Sequence, residues 1–284
     1  MTATYTAALP RAEAEALAAA IEPALEEIGV AHTLFETADG SETWEVTVYA
    51  EPDVEDEVAA ALDRASHPFT RAELPDEDWV TRSLTALAPV RAGGFVVHGS
   101  HDRGVARAGE TAVEIDAARA FGTGHHGTTA GCLVALDRLL KRRRPRHVLD
   151  LGTGSGVLAI ALARRARRPV LATDIDPLAV RIARDNARLN GVGTLVRAET
   201  ATGLAHSAIR SNAPYDLIVA NILAGPLRAM APAIARHLAP GGSVVLSGLL
   251  ERQRAAVVAA YRAQGLRLER TVRREGWATL TLRG

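Results

Sequence analysis

The chain has 284 residues, about twice a typical ~150-residue domain, so two domains are the starting expectation. Hydrophobic residues make up 48% of it, enough for a packed core, which excludes an intrinsically disordered chain. The single cysteine, Cys132, excludes a disulfide framework and any Cys₄ or Cys₂His₂ zinc site, and no apolar run reaches the ~18 residues of a membrane span.

The net charge of zero is divided unevenly. Residues 1–116 carry 23 acidic against 7 basic side chains, a formal −16, and residues 117–284 carry 10 against 26, a formal +16. An acidic front end repels nucleic acid and attracts a basic partner; it serves equally well as a solvated face complementing the basic half. Arg11, Glu13 and Glu15 interrupt the first alanines, which does not resemble a secretory leader, so a soluble cytoplasmic protein is expected.

Residues 4–9 alternate as a strand, and residues 11–28 place Leu17, Ile21, Leu25 and Ile28 at helical spacing. Residues 31–36 and 43–49 alternate as strands around Asp39-Gly40, a hairpin signal. Residues 53–64 put Val54, Val58 and Leu62 on one helical face, and residues 69–74 close as a strand. The order β-α-β-β-α-β predicts a ferredoxin-like domain over residues 1–74. Residues 75–116 read as a connecting region, in which Pro75, Asp76 and Asp78 cap a short helix holding Trp79 and Leu84. Gly93-Gly94, a hinge or a tight turn, then precedes an apolar run at 95–97.

Residues 117–284 alternate strand and helix in the α/β manner. Strands are expected at 148–151, 170–174, 195–198, 217–221 and 244–248, with helices at 157–168, 177–190, 227–238 and 252–264. Strands at 266–272 and 277–282 flank Glu275-Gly276, so a parallel sheet should end in an antiparallel hairpin.

The chemistry centres on Asp150-Leu151-Gly152-Thr153-Gly154-Ser155-Gly156, set between an apolar strand and an apolar helix. Glycines let a ligand lie against backbone, and the helix behind them offers free N–H groups. The third glycine comes one residue too early for a dinucleotide fingerprint, and no lysine follows as a P-loop needs. A carboxylate at Asp150 disfavours a pyrophosphate and favours a ligand bearing an amine and a sulfonium, the properties of S-adenosylmethionine. Asp174 ends the second strand about 20 residues past the glycines, placed to accept ribose hydroxyls. Asp176, before Pro177, reads as a helix cap. Asn221 ends a buried apolar strand, where its amide needs partners; its oxygen is suited to orient an incoming amine.

With Asp174 and Asn221, the Asp150-x-Gly152-x-Gly154-x-Gly156 pattern resembles the seven-stranded S-adenosylmethionine-dependent methyltransferases. More narrowly, Ala120-Phe121-Gly122-Thr123-Gly124-His125-His126-Gly127-Thr128-Thr129, Asn221-Ile222-Leu223-Ala224-Gly225-Pro226-Leu227 and Leu246-Ser247-Gly248-Leu249-Leu250 resemble the ribosomal protein L11 methyltransferase family. The resemblance implies a Rossmann-like α/β fold behind the ferredoxin-like domain, which would grip a basic ribosomal protein. It implies methylation of lysine or N-terminal amines, with Asn221 beside the methyl donor and the acceptor nitrogen, orienting the amine. It further implies that Thr129 and Gly152 contact the cofactor and that Asp174 holds its ribose. His125 and Gly127 depart from the family's commoner Gly-Thr-Gly-Thr-His-Pro-Thr-Thr pattern. Adjacent His125 and His126 lack the spacing of metal ligands, so no metal is expected, and His126 is expected to line the pocket. Lys141-Arg142-Arg143-Arg144 reads as a helix C-terminus rather than a nucleic-acid patch. The alternative reading is a methyltransferase for another protein or a small molecule.

Overall fold

A computed structural model describes residues 3–30, 32–36, 43–73, 89–115 and 126–284. The chain divides into two compact units, residues 1–80 and 81–284. The Asp39-Gly40 hairpin, the short helix with Trp79, and the segment from Phe121 to His125 lie outside the described residues.

The first unit runs β1 (Ala3–Pro10), a helix Arg11–Ile28, β2 (His32–Glu36), β3 (Thr43–Ala50), a helix Glu55–Leu62 and β4 (Thr70–Glu73). Its sheet has the order β2-β3-β1-β4, and every pairing is antiparallel. The two β-α-β units therefore interleave, each accepting a strand of the other, which is the ferredoxin-like arrangement expected from the periodicity. The helical stripe Leu17, Ile21 and Leu25 is buried against Val46 and Val48 of β3 and Val58 and Leu62 of the second helix.

The second unit opens with a small sheet of β5 (Val90–Ala92), β6 (Phe95–His98) and β7 (Thr111–Glu114). Gly93 and Gly94 form the tight turn joining β5 to β6. The described part of the expected connecting region is thus a folded part of this unit. Phe95, Val113 and Ile115 share one core with Leu133 and Leu136. The buried Asn190 fastens β7, accepting from the Glu114 N–H (2.9 Å) and donating to the Glu114 carbonyl (2.6 Å).

The large sheet has the order β10-β9-β8-β11-β12-β14-β13. Here β8 is Val148–Leu151, β9 is Val170–Asp174, β10 is Val196–Thr200, β11 is Tyr215–Asn221 and β12 is Leu238–Leu250; all five are parallel. β13 (Arg267–Arg274) and β14 (Trp277–Arg283) form the antiparallel edge around Glu275-Gly276, as expected. Helices Val157–Ala166 and Pro177–Leu189 join the parallel strands, and the latter is capped by Asp176, which accepts from the Leu178 and Ala179 N–H groups. The single helix expected over 227–238 is instead two, Ala224–Ala229 and Ala231–His237. Pro232 enforces the break, because it lacks an N–H and its ring crowds the carbonyl four residues earlier. The helix His126–Leu140 ends where Lys141–Arg144 was expected to mark a helix C-terminus, although its extent was not predicted; it packs on β12 and β14. No described helix is long and apolar enough to cross a membrane.

Candidate active site at the carboxyl ends of the parallel strands

Strand order reverses at β8, which has β9 on one side and β11 on the other. In open α/β sheets a crevice forms at such a reversal, outside the carboxyl ends of the strands. The glycine loop leaves β8 here, Asp174 ends β9 and Asn221 ends β11.

The loop is stapled to β9, since the Gly152 and Thr153 N–H groups both donate to the Thr173 carbonyl (2.8 and 2.9 Å). Gly152 has φ +72°, and a Cβ there would collide with Ile222 Cγ2. Asp150 lies beneath the loop with 1% of its surface exposed. Its Oδ2 accepts from Thr153 Oγ1 (2.7 Å) and from the Ala159 N–H (3.1 Å), so it both braces the loop and caps the following helix. The sequence reading puts Asp150 against the ligand's cation; the structure shows a tether whose Oδ1 has no partner among the described residues.

Burial pushes the Asp150 carboxyl up to about 6, against the two hydrogen bonds and helped by the charge of Asp174. Raised above its unfolded value of about 4, the group favours the fold while protonated, and that contribution is lost as pH rises through about 6. Ionised, it costs the ligand-free fold about 3 kcal/mol. Asp150→Asn keeps an acceptor without the charge. Its urea midpoint should therefore rise relative to the parent's as pH goes from about 4 to about 7. A constant difference over that range would refute this.

Asp174 is half-buried; its Oδ2 accepts from the Gly154 N–H (2.8 Å) and its Oδ1 from the Asp176 N–H (3.1 Å). A carboxylate offers about four acceptor positions, so capacity for hydroxyl donors remains. Beside it Ile175 is 67% exposed, an aliphatic surface that a flat apolar ligand face would cover.

Asn221 donates from Nδ2 to Thr128 Oγ1 (3.4 Å), while its Oδ1 is buried without a partner among the described residues. Thr128, 2% exposed, sits in the first turn of the His126–Leu140 helix. Ser247 of β12 anchors that turn, donating to the Thr128 carbonyl (3.4 Å) and sharing a hydrogen bond with Thr279 Oγ1 (2.8 Å). Thr128 and Ser247 are site residues that the sequence reading did not single out. Their signal was the apolar spacing of Cys132, Leu133, Leu136, Leu139 and Leu140, which marks a helix starting just before Thr128. Thr129 lies half-buried in the same turn. Cys132 is core: burial raises its thiol to about 12.

A carboxylate at the second strand end, an exposed aliphatic beside it, a lysine-free glycine loop and an orphaned buried acceptor all suit S-adenosylmethionine. The profile of the family described as ribosomal protein L11 methyltransferase (PrmA) matches residues 3–284. The chain belongs to this family. It is 53% identical over 275 residues to the ribosomal protein L11 methyltransferase of Brucella suis, covering 96% of each. To that of Mesorhizobium japonicum it is 53% identical over 276 residues, covering 95% of each. A crystal structure of the ribosomal protein L11 methylase from Lactobacillus delbrueckii subsp. bulgaricus aligns with a TM-score of 0.62 at 28% identity, over 69% of this chain and 98% of that one. Members of the ribosomal protein L11 methyltransferase family are S-adenosylmethionine-dependent enzymes with this Rossmann-like sheet, and the crevice at β8, β9 and β11 is where such a sheet takes its ligand.

Proposed function

We propose that this cytoplasmic protein transfers methyl groups from S-adenosylmethionine to amino groups of ribosomal protein L11, on lysine side chains, the N-terminus or both. The Oδ1 of Asn221, unpartnered among the described residues, carries the reading, because a buried acceptor without a donor costs about 1–3 kcal/mol unless a substrate N–H completes it. When bound, S-adenosylmethionine supplies an electrophilic methyl on sulfur. Asp174 would hold the ribose hydroxyls, Ile175 would cover the base, and Gly152 and Gly154 would admit the ligand to the backbone. Thr129 would flank it from the helix above.

The protein's own task at the acceptor is alignment. A lysine amine of pKa ~10.4 is about 4–5 kcal/mol from its neutral form at pH 7, and only that form has a lone pair to give. Asn221 Oδ1 accepts one N–H of the neutral amine and so points the lone pair, while Thr128 and Ser247 fix the amide. Water takes the released proton. The first unit would hold the substrate, its acidic character suited to a basic ribosomal protein.

The test is incubation of the full chain with methyl-labelled S-adenosylmethionine and purified bacterial L11, followed by intact-mass measurement. The expected result is a ladder of methyl additions on L11. A chain that binds the cofactor yet leaves L11 unlabelled would overturn the proposal.

A further inference from the structure

We propose that a groove remote from the active site binds the phosphodiester backbone of RNA. The groove, about 790 Å³, lies between the carboxyl end of the His126–Leu140 helix and the outer strands β13 and β14. The site's Thr128 is at the start of that helix and Lys141 is just past its end, roughly 20 Å away at 1.5 Å per residue. The two surfaces are therefore separate.

Seven cations line the groove, Arg138, Lys141, Arg142, Arg143, Arg267, Arg270 and Arg283, against one carboxylate, Glu269. The pairings among them leave most of the charge uncompensated. Lys141 binds Asp137 (2.7 Å), and Glu269 is shared by Arg143 and Arg283 (3.6 and 3.7 Å). Arg138, Arg142, Arg267 and Arg270 are exposed, and none has an acidic partner among the described residues.

Local structure does not require this many cations. Lys141 with Asp137 already places a cation at the helix C-terminus, as the sequence reading expected. Arginines along the edge strand β13 discourage strand addition, but that purpose is independent of Arg138 and Arg142 on the helix. What the two elements build together is a concave surface of guanidinium forks, whose geometry matches phosphate oxygens. The choice of RNA rests on the proposed function, since the substrate is a protein whose own binding partner is ribosomal RNA. This reverses the expectation of no nucleic-acid contact, which followed from the acidic front end and from reading Lys141–Arg144 apart from β13.

The experiment measures anisotropy of a fluorescein-labelled RNA hairpin with the full chain over a salt series. The parent should bind with an affinity that falls steeply with salt. The double variant Arg142→Glu/Arg270→Glu should bind at least about tenfold more weakly, with a salt slope smaller by about two. Arg188→Glu, a charge reversal on the Pro177–Leu189 helix, should change affinity less than about twofold. The milder pair Arg142→Gln/Arg270→Gln tests the same loss if the reversal fails to fold. Unchanged hairpin affinity and slope in the paired variants would overturn the inference, as would tighter binding of polyglutamate than of RNA, which would mark an acidic protein site. Methylation of free L11 by the paired variants should equal the parent's, so loss of RNA binding is read separately from the methyltransferase activity.

Discussion

Asn221→Ala should lower turnover on L11 by about 10²–10³-fold and leave the calorimetric affinity for S-adenosylmethionine within about tenfold. This is the pattern of a lost interaction that matters most as the bond forms. On the proposed mechanism, alanine would leave the amine at the end of β11 without the acceptor that points its lone pair. Thr128 separates this role from mere packing. Thr128→Val keeps the shape but removes the acceptor of the Asn221 amide, so turnover should fall about tenfold; Thr128→Ser should restore most of it. Because the neutral amine is the reactive form, turnover of the parent should also climb as pH rises from 7 toward 9. Equal turnover by Asn221→Ala and the parent would refute the assignment.

Where residues reported their own environment, the sequence was sufficient. The stripes of the first unit and the apolar runs of β8, β9 and β11 each need only local period and burial. Asp176 was legible as a cap because the following proline fixes the helix start. What was not legible depended on which partners a side chain finds once folded, near or far along the chain. Asp150 turned inward because Thr153 and the Ala159 N–H outcompete solvent for its oxygen, and nothing in its immediate neighbours states that. Thr128 meets Asn221 across 93 positions, and Lys141 shares a groove with Arg267 only once β13 has returned to the sheet edge. Of the His126–Leu140 helix only the basic C-terminal end was legible, because its early residues lack the charged face that marks an amphipathic helix.

Gly248→Ala should unfold the second unit at a temperature lower by roughly 10 °C and abolish methylation, measured by a melting curve and by the L11 assay. Gly248 lies in the irregular stretch of β12 between Leu246 and Leu249, with φ +83°. A Cβ there would stand 2.7 Å from the Ile222 carbonyl carbon and 2.9 Å from its nitrogen. Backbone cannot rotate out of the way, so left-handed strain of about 1–2 kcal/mol adds to a displaced main chain, for a total above about 4 kcal/mol. The displaced residue directly follows Asn221, and its N–H donates to the Ser247 carbonyl (3.2 Å), so the Asn221 amide moves with it. Gly152→Ala presses on the same Ile222 but meets only its side chain, at Cγ2. That variant should stay folded while its affinity for S-adenosylmethionine falls, since the loop rather than β11 gives way. If Gly248→Ala melted with the parent and still methylated L11, the clamp of two glycines on Ile222 would not be what holds Asn221 in place.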